Sequence, residues 1–281
     1  MRPAGPAIRA GVVGDPIAHS LSPGLMAAWI EAAGIDAQYS PYRVAREDAE
    51  TFLRGLARTE CAGVNITLPH KHIALAIADR VSPAAQAIGA ANLLTFRDGQ
   101  IHADNTDAMG FLDALRTGDV DPSRGPALVL GAGGAARAIL HALVQAGVPE
   151  IRLSNRSRSN ALALARDLAP DARIHDWGDR DQALPGVALV VNATSLGLSG
   201  VEDLVLDWRN APGDAVAADS VYRPLQTGFL RDAARQELRI IDGLGMLIGQ
   251  ARPSFEAFFG FAPPTQIDAR ALLLSHLEPK S

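Results

Sequence analysis

Residues 127–139 constrain the fold more than any other stretch of this 281-residue chain. Apolar residues at 128–130 predict a buried strand that stops at Gly131, and after a run of small residues the apolar positions switch to helical spacing. This order favours a dinucleotide-binding unit, in which Gly131 makes the turn, Gly133 lets the backbone approach a pyrophosphate and Ala136 lets helix and strand pack closely. The ligand's charge would then lie at the positive helix N-terminus. A tight turn without a ligand is the alternative.

The composition excludes several classes of protein. Hydrophobic residues make up 48% and charged residues 20% of the chain, as in an ordinary soluble globular protein. The net charge of −5 gives no general attraction to nucleic acid or to an anionic membrane. Residues 1–10 lack the apolar core of a signal peptide, and no apolar run approaches the roughly 18 residues that span a bilayer. The single cysteine, Cys61, excludes an intrachain disulfide and a cysteine-cluster metal site. We therefore expect a cytoplasmic protein without a metal.

The first candidates for a binding site follow a short strand at residues 7–14. Ser22 and Pro23 predict a helix start, with the serine as cap and the proline at the first helical position, and Gly34 predicts the end of this helix. Ser22 either serves only as a cap, or together with Ser20 offers hydroxyl groups to a substrate carboxylate beside the positive helix end. The residues by themselves leave both interpretations open.

A lysine opens a helix after the strand at residues 61–68. Along that strand Asn65 and Thr67 share one face. Pro69 ends the strand, and Lys71 starts a helix that we expect to run to about residue 79. A lysine in the first turn opposes the helix dipole, so helix stability does not explain it. It is either a solvated surface residue or a group with a chemical task.

A carboxylate that could partner this lysine follows later in the chain. The Ser-Pro pair at 82–83 predicts a short helix, and the Asp-Gly pair at 98–99 predicts a tight hairpin. Four polar residues at 104–107 then precede a helix, and because one cap suffices, Asp107 is available for another task. Lys71 and Asp107 follow different strands of one α/β sheet and could meet at the strand carboxyl ends, where such sheets bind ligands.

The next strand after the glycine-rich turn, at residues 151–153, indicates which cofactor binds. It ends in Asn155, Arg156, Ser157 and Arg158. An NAD site usually places an acid here for the ribose 2′-hydroxyl, whereas an NADP site prefers arginine for the 2′-phosphate. Arginines without an acid favour NADP, because guanidinium groups suit a divalent phosphate. A helix capped by Ser157 with two solvated arginines is the alternative.

The remaining pattern completes an α/β fold, since strands alternate with helices throughout. Apolar strands at 187–191, 215–218 and 238–241 complete the second sheet, and a long helix at 243–259 follows. Gln250 lies on the apolar face of that helix, either bonded to backbone or aimed at a ligand. We expect two α/β domains: an N-terminal substrate domain from residues 1–107 and 243–281, whose C-terminal helix returns to it, and a Rossmann-type NADP-binding domain from residues 108–242.

The chain resembles the shikimate dehydrogenase family from about residue 10 to residue 260. The motifs that carry the resemblance are S-L-S-P at 20–23, N-I-T-L-P-H-K at 65–71, I-G-A-A-N at 88–92, D-N-T-D at 104–107, G-A-G-G-A-A-R at 131–137, N-R-S at 155–157, N-A-T-S-L-G at 192–197, D-S-V-Y-R-P at 219–224 and G-L-G-M-L-I-G-Q at 243–250. Their number and order exclude a chance match.

The resemblance implies an NADPH-dependent reduction of 3-dehydroshikimate to shikimate, in aromatic amino acid biosynthesis, with Lys71 and Asp107 as the catalytic pair. Hydride addition to a ketone leaves negative charge on oxygen, and a lysine can supply both a proton and a cation there. The implied substrate-binding residues are Ser20, Ser22, Thr67, Asn92, Tyr222 and Gln250. The implied cofactor-binding residues are Gly131, Gly133, Gly134, Ala135, Asn155, Arg156, Ser157, Arg158, Thr194 and Gly243. The sequence leaves the oligomeric state open, with a homodimer as one option.

Three departures from the family pattern leave alternatives open. The family usually has histidine and asparagine where this chain has Met26 and Ala27, threonine at Leu93, and a second arginine at Asn160, which Arg158 would replace. The first two changes concern substrate fit and motivate a paralogue that acts on quinate or an aminoshikimate. A catalytically inactive NADP(H)-binding sensor is a further alternative, against which the intact Lys71 and Asp107 argue.

Replacing Arg156 by alanine tests the cofactor prediction. We expect the variant to bind NADPH much more weakly while its affinity for NADH changes little, because only NADPH carries the 2′-phosphate. Fluorescence titration with both nucleotides measures the two losses. Equal losses would mean that this arginine does not bind the 2′-phosphate.

Overall fold

A computed structural model describes residues 7–277, which form two compact units. Of the described residues, the first unit contains 7–106 and 250–277, and the second contains Asp107–Gly249. Residues 1–6, part of the segment that we inspected for a signal peptide, lie outside the described range. Across the described residues, no helix combines the length and the apolar character that crossing a membrane requires.

The first unit is built on a mixed six-stranded sheet. Its strands are β1 (Ile8–Gly14), β2 (Ala37–Arg43), β3 (Cys61–Ile66), β4 (Arg80–Val81), β5 (Leu93–Arg97) and β6 (Gln100–Asp104), in the order β2-β1-β3-β5-β6-β4. β1 runs parallel to β2 and β3, whereas β5 is antiparallel to β3 and β6. The hairpin prediction is confirmed, because Asp98 (φ 52°) and Gly99 (φ 73°) both have the positive φ that a type I′ turn requires.

Five helices belong entirely to the first unit: α1 (Ser22–Ala33), α2 (Ala49–Leu56), α3 (Lys71–Ala76), α4 (Pro83–Ile88) and α10 (Ala269–Leu277). Helix α3 is shorter than we expected. The backbone N–H of Asp79 donates to the Ile101 carbonyl at 2.8 Å, and its carboxylate accepts from the Ile101 N–H at 2.8 Å. These bonds draw the chain into the sheet before a further helical turn can form. The predicted return of the last helix is confirmed, since Gln266 in the segment before it donates to Ala32 at the end of α1.

The second unit contains a fully parallel sheet. Its strands are β7 (Ala127–Leu130), β8 (Ile151–Ser154), β9 (Arg173–His175), β10 (Leu189–Asn192), β11 (Val216–Asp219) and β12 (Arg239–Ile241), in the order β12-β11-β10-β7-β8-β9. This is the doubly wound order of a Rossmann fold. The sequence pattern did not indicate β9, because an edge strand of three residues with one aliphatic residue, Ile174, carries no periodic signal.

Helices cover both faces of the parallel sheet. They are α5 (Asp107–Thr117), α6 (Gly134–Gln145), α7 (Arg158–Leu168), α8 (Gly228–Arg235) and the first part of α9 (Gly243–Phe259). Along β7, Val129 packs into one buried cluster, while Leu128 and Leu130 pack into a second cluster on the opposite face. A strand that is buried on both faces must be apolar throughout, and this explains the unbroken apolar run at 128–130.

Two helices of the second unit approach each other through glycine. A Cβ atom at Gly249 of α9 would lie 2.8 Å from Cα and 2.9 Å from the carbonyl oxygen of Gly110 in α5. A Cβ at Gly245, one turn earlier, would lie 2.8 Å from the Ala114 Cβ. Backbone rather than a flexible side chain occupies the space at Gly249, so a larger residue there must push the helices apart.

We expect Gly249→Ala to lower the free energy of unfolding by about 1–3 kcal/mol, the usual cost of overpacking. Gly55 in α2 is the control: it is exposed, and no described heavy atom lies within 4 Å of its Cβ position. Gly55→Ala should stabilise the protein by up to about 1 kcal/mol, because alanine loses less backbone entropy on folding. Urea unfolding measures both changes, and a Gly249→Ala variant as stable as the wild type would contradict the prediction.

Candidate active site

One edge of the first unit's sheet gathers the polar residues that the sequence singled out there. The N–H of Thr67, just after β3, donates to the Val13 carbonyl of β1 at 2.9 Å. β5 is antiparallel to β3 and its first residue, Leu93, pairs with Asn65, so Asn92 lies at the same edge as Thr67. The mixed topology therefore brings the ends of β1 and β3 and the start of β5 together.

Asn92 is the centre of this edge. It is 2% exposed, and its Oδ1 accepts a hydrogen bond from the Thr106 N–H at 2.8 Å, while its Nδ2 donates to the Thr106 hydroxyl at 3.0 Å. The same Nδ2 lies 3.5 Å from Oε1 of Gln250. The Thr106 hydroxyl also donates to the Gln250 carbonyl at 3.1 Å. One amide thus ties the chain that leaves β6 to helix α9, and places the Gln250 side chain beside Asn92.

Asn65 belongs to the same buried network as Asn92, although it was not among the predicted site residues. It is 6% exposed, accepts from the Tyr39 hydroxyl at 2.8 Å and donates to the Ser254 hydroxyl at 2.7 Å. Burial raises the pKa of Tyr39 well above its ordinary value, so this phenol stays protonated as the donor. Ser254 in turn donates to the Gln250 carbonyl at 3.0 Å. The sequence placed Asn65 on the polar face of β3, but its partners lie on distant elements.

Lys71 begins helix α3 beside this network. Its carbonyl accepts from the Ala91 N–H at 3.0 Å, and the preceding residue, His70, is fully buried with Nε2 2.8 Å from the Val44 carbonyl. Consecutive residues Ala91 and Asn92 therefore hold the backbone of Lys71 and of Thr106. Asp107 follows Thr106 directly, is buried, and starts helix α5 of the second unit.

Ser20 and Ser22 follow β1 at the same edge of the sheet. The capping interpretation of Ser22 is wrong: the N-cap is Leu21, whose side chain makes no capping bond, and Ser22 is the first residue of α1. Leu21 already has helical dihedral angles (φ −86°, ψ −11°), so Ser22 lies inside the helix and cannot reach the N–H groups ahead of it. Instead, the Ser20 hydroxyl accepts from the Ser22 N–H at 3.3 Å.

The glycine-rich turn of the second unit fits a pyrophosphate. Gly131 has φ +117°, and a Cβ there would lie 2.8 Å from the Ala193 carbonyl oxygen, so the position requires glycine. Gly133 is exposed, and no described heavy atom lies within 4 Å of its Cβ position. It is the N-cap of α6 and has no side chain to cover the N–H groups of the first turn, which includes Gly134 and Ala135. Such a helix end is suited to an anion.

The segment after β8 presents two arginines in different environments. Asn155 donates to the Ser157 carbonyl at 2.9 Å and shapes the turn. Ser157 is the N-cap of α7, as the capping interpretation predicts, but in the described chain its side chain makes no capping bond, and its hydroxyl bonds to the Ser159 hydroxyl at 2.9 Å. Arg156 is exposed and forms no ion pair or hydrogen bond with residues 7–277, whereas Arg158 pairs with Asp176 at 2.5 Å.

Two further cofactor candidates have structural tasks of their own. The Thr194 hydroxyl donates to Oδ1 of Asn192 at 2.7 Å and accepts from the Leu196 N–H at 3.0 Å, which shapes the loop after β10. At Gly243, the first residue of α9, a Cβ would lie 2.6 Å from the Val221 carbonyl oxygen. Backbone packing therefore accounts for this glycine without a ligand.

A buried carboxylate joins the loops after β10 and β11. Asp219 accepts hydrogen bonds from the Thr227 hydroxyl at 2.6 Å, the Val221 N–H at 2.8 Å and Nδ2 of Asn192 at 3.0 Å. Burial nevertheless raises its pKa to about 6, against these three donors, which favour the ionised form. Tyr222 follows Val221 on this loop and is half-buried.

The structure divides the predicted site residues between the two units. The first unit holds Ser20, Ser22, Thr67, Lys71, Asn92 and Gln250 at one sheet edge. The second unit holds Asp107, Tyr222 and all of the cofactor candidates. These candidates lie just after the carboxyl ends of its strands or at the start of α9. This is the edge at which open α/β sheets bind ligands.

Family models of known proteins match three stretches of the chain. Residues 12–94 match the shikimate dehydrogenase substrate binding domain, residues 117–201 the shikimate / quinate 5-dehydrogenase family, and residues 243–273 the shikimate 5′-dehydrogenase C-terminal domain. A shikimate dehydrogenase (NADP(+)) of Maricaulis maris is 52% identical over 277 residues, which cover 99% of this chain and 99% of the relative. The chain belongs to the shikimate dehydrogenase family.

Solved structures of this family have the same fold. The shikimate 5-dehydrogenase of Thermus thermophilus, in complex with NADP(H) and shikimate, matches with a TM-score of 0.85 at 40% identity, over 95% of this chain and 99% of that chain. The quinate dehydrogenase of Corynebacterium glutamicum, in complex with NAD, matches with a TM-score of 0.88 at 28% identity, over 96% of this chain and 100% of that chain. The predicted fold class of two α/β domains, one of them Rossmann-type, is confirmed.

Replacing Asp219 by asparagine should change how stability depends on pH. The pKa of Asp219 is about 6 in the folded chain and 3.8 without burial, so the native state binds more protons between these values. Its contribution to the free energy of unfolding therefore falls as the pH rises through this window. We expect the stability of the wild type minus that of Asp219→Asn to shrink by up to roughly 2–3 kcal/mol from pH 4 to pH 7.

Urea unfolding at several pH values measures this difference, and Asp207→Asn is the control. A hydrogen bond from the Arg209 guanidinium lowers the pKa of Asp207, so the corresponding difference for that variant should grow as the pH rises. Parallel pH curves for the wild type and Asp219→Asn would contradict the prediction.

Proposed function

We propose that this chain catalyses the reversible, NADPH-dependent reduction of 3-dehydroshikimate to shikimate, a step of aromatic amino acid biosynthesis. The observation that carries the proposal is the 52% identity, over 99% of both chains, to a relative named shikimate dehydrogenase (NADP(+)). The residues of the two units fit that chemistry.

The substrate site that we propose lies at the sheet edge of the first unit. Asn92 and Gln250 are adjacent there, and a network of buried amides and hydroxyls holds both, so their amide groups would bind ring hydroxyl groups with little loss of entropy. Thr67 follows β3 at the same edge and would bind a further hydroxyl. Ser20 and Ser22, at the start of α1, would hold the carboxylate, because a helix N-terminus favours an anion. Tyr222 would approach the same carboxylate.

Lys71 is the proton donor in this proposal. The chain contains only two lysines, Lys71 and Lys280, against 24 arginines, so arginine serves for nearly all of its cations. A guanidinium stays protonated in proteins, whereas an ammonium can give up its proton. The rarity of lysine in this chain is a signal for Lys71 that strand and helix patterns do not contain.

Lys71 and Asp107 would act as a pair during the reduction. NADPH, when bound, supplies the hydride. As charge develops on the carbonyl oxygen of the substrate, the Lys71 ammonium stabilises it and transfers a proton to it. The Asp107 carboxylate would orient the ammonium. The network around Asn92 serves this chemistry, because it fixes the backbone of Lys71 and of Thr106, the neighbour of Asp107.

The cofactor site that we propose lies at the glycine-rich turn of the second unit. The open surface at Gly133 and the uncapped start of α6 would bind the pyrophosphate. Arg156, a cation with no carboxylate partner in the described chain, would bind the 2′-phosphate. Asn155, Ser157 and the Thr194 loop would line the site.

A quinate-oxidising paralogue is the second candidate, because a quinate dehydrogenase has the same fold. One observation disfavours it. The identity to that enzyme is 28%, against 52% to the shikimate dehydrogenase of Maricaulis maris. Purified protein that oxidised quinate faster than shikimate at equal concentration would reverse this choice.

Two predictions of the sequence concern the cytoplasmic location and the division into a substrate domain (residues 1–107 and 243–281) and a cofactor domain (residues 108–242). A homodimer stays one option for the assembly.

We expect Lys71→Ala to lower kcat by roughly a hundredfold or more while the affinity for NADPH changes little, because the variant loses the proton donor but not the cofactor site. Lys71→Arg should be similarly slow, since arginine keeps the charge but not a transferable proton. Steady-state kinetics with shikimate and NADP measure kcat, and fluorescence titration measures NADPH affinity.

Lys280→Ala is the matched control, because it removes the chain's other lysine, and we expect wild-type turnover. A Lys71→Ala variant with near-normal kcat would exclude Lys71 from the mechanism. A Lys71→Arg variant with near-normal kcat would show that the charge, rather than the proton, is what the reaction needs.

A further inference from the structure

The segment that follows β8 lies beside the end of β9. These strands pair in parallel, and their last residues, Ser154 and His175, are partners in the register. The next residues, Asn155 and Asp176, therefore emerge side by side from the same edge of the sheet. An acid is thus present at the predicted 2′-phosphate site, but it comes from the neighbouring strand rather than from the segment 155–158.

The Asp176 carboxylate forms an ion pair with Arg158. Oδ1 of Asp176 lies 2.5 Å from Nη1 of Arg158. Asp176 is also the N-cap of the short 3-10 helix Trp177–Ala183, but in the described chain its side chain makes no capping bond there. The local fold therefore does not need this carboxylate, and the Asp176 side chain has Arg158 as its partner.

The two arginines of the segment consequently differ. Arg158 and Asp176 together carry no net charge, whereas Arg156 has no carboxylate partner in the described chain. The Arg158 and Asp176 side chains are 53% and 60% exposed, so solvent screens the ion pair and other anions can compete with it. Nevertheless, while the Asp176 carboxylate remains beside the Arg158 guanidinium, its negative charge offsets the attraction between Arg158 and an incoming phosphate.

We propose that Asp176 is a specificity-determining residue: it holds Arg158 away from the 2′-phosphate of NADP(H), so that Arg156 provides most of the preference for NADP(H) over NAD(H). The proposal rests on the NADP-dependent function proposed above. It assigns unequal roles to two arginines that the sequence treats alike. Arg158 then replaces the family's second arginine, absent at Asn160, only in part.

Direct binding measurements test this proposal without reference to turnover. The probes are 2′,5′-ADP, which carries the 2′-phosphate, and 5′-AMP, which lacks it, titrated by calorimetry, together with NADPH and NADH titrated by fluorescence. The proteins are the wild type, Arg156→Ala, Arg158→Ala, Asp176→Asn and the double variant Arg158→Ala/Asp176→Asn. Circular dichroism and thermal unfolding confirm that each variant is folded.

We expect Asp176→Asn to bind 2′,5′-ADP and NADPH about three- to tenfold more tightly than the wild type, with 5′-AMP and NADH unchanged, because Arg158 becomes available to the phosphate. In the wild-type background Arg158→Ala should weaken 2′,5′-ADP binding less than twofold, and Arg156→Ala more than tenfold. In the Asp176→Asn background Arg158→Ala should reverse the whole gain.

Three results would overturn the proposal. They are unchanged 2′,5′-ADP affinity in Asp176→Asn, a loss in Arg158→Ala as large as that in Arg156→Ala, and a gain in Asp176→Asn that persists when Arg158 is also replaced. The last result would mean that the carboxylate repels the phosphate directly and does not act through Arg158. Failure of the proposed function looks different, since a wild type that does not prefer 2′,5′-ADP over 5′-AMP would not be an NADP-binding protein at all.

Discussion

The first unit depends on a single buried amide, that of Asn92. Its carbonyl oxygen and its amino group bind the backbone and the hydroxyl of Thr106, and its amino group also lies beside Gln250. Removing one partner from such a site leaves buried polar groups unpaired, which costs about 1–3 kcal/mol for each group. Because strand β5, the start of α3 and helix α9 all meet at this residue, the shape of the candidate substrate site follows from its hydrogen bonds.

The second unit uses a carboxylate in a similar position. Asp219 and Asn192 end neighbouring parallel strands, and together they bind the Thr194 loop, the Val221 backbone and the start of α8. The loops that follow parallel strands do not pair in the sheet, and buried polar networks can hold such loops in one conformation. Hydrogen bonds within the chain therefore hold the loops after β10 and β11.

Much of the fold could be predicted because its signals are local. Gly131 precedes a run of small residues and follows an apolar strand, and its φ of +117° shows why no other residue fits. Ser82 caps α4 as its Ser-Pro pair predicts, by accepting from the Ala85 N–H. Strand β9 could not be predicted in this way, since its existence depends on pairing with β8 rather than on its own three residues. Neither could the cap of α1, since both Leu21 and Ser22 are compatible with a helix start there.

The sequence by itself determined the glycine-rich turn, most of the strands and helices, and the types of polar residue at the strand ends. These follow from periodicity and from backbone preferences, which act over a few neighbouring residues. Its motifs also carried the resemblance to the family. Only the tertiary structure decided which polar residues become neighbours. Asn65 meets Ser254 across 189 positions, and Asp176 meets Arg158 because two strands lie side by side. Hydrogen bonds and ion pairs depend on distance in space, and in this chain the pairing of strands sets that distance.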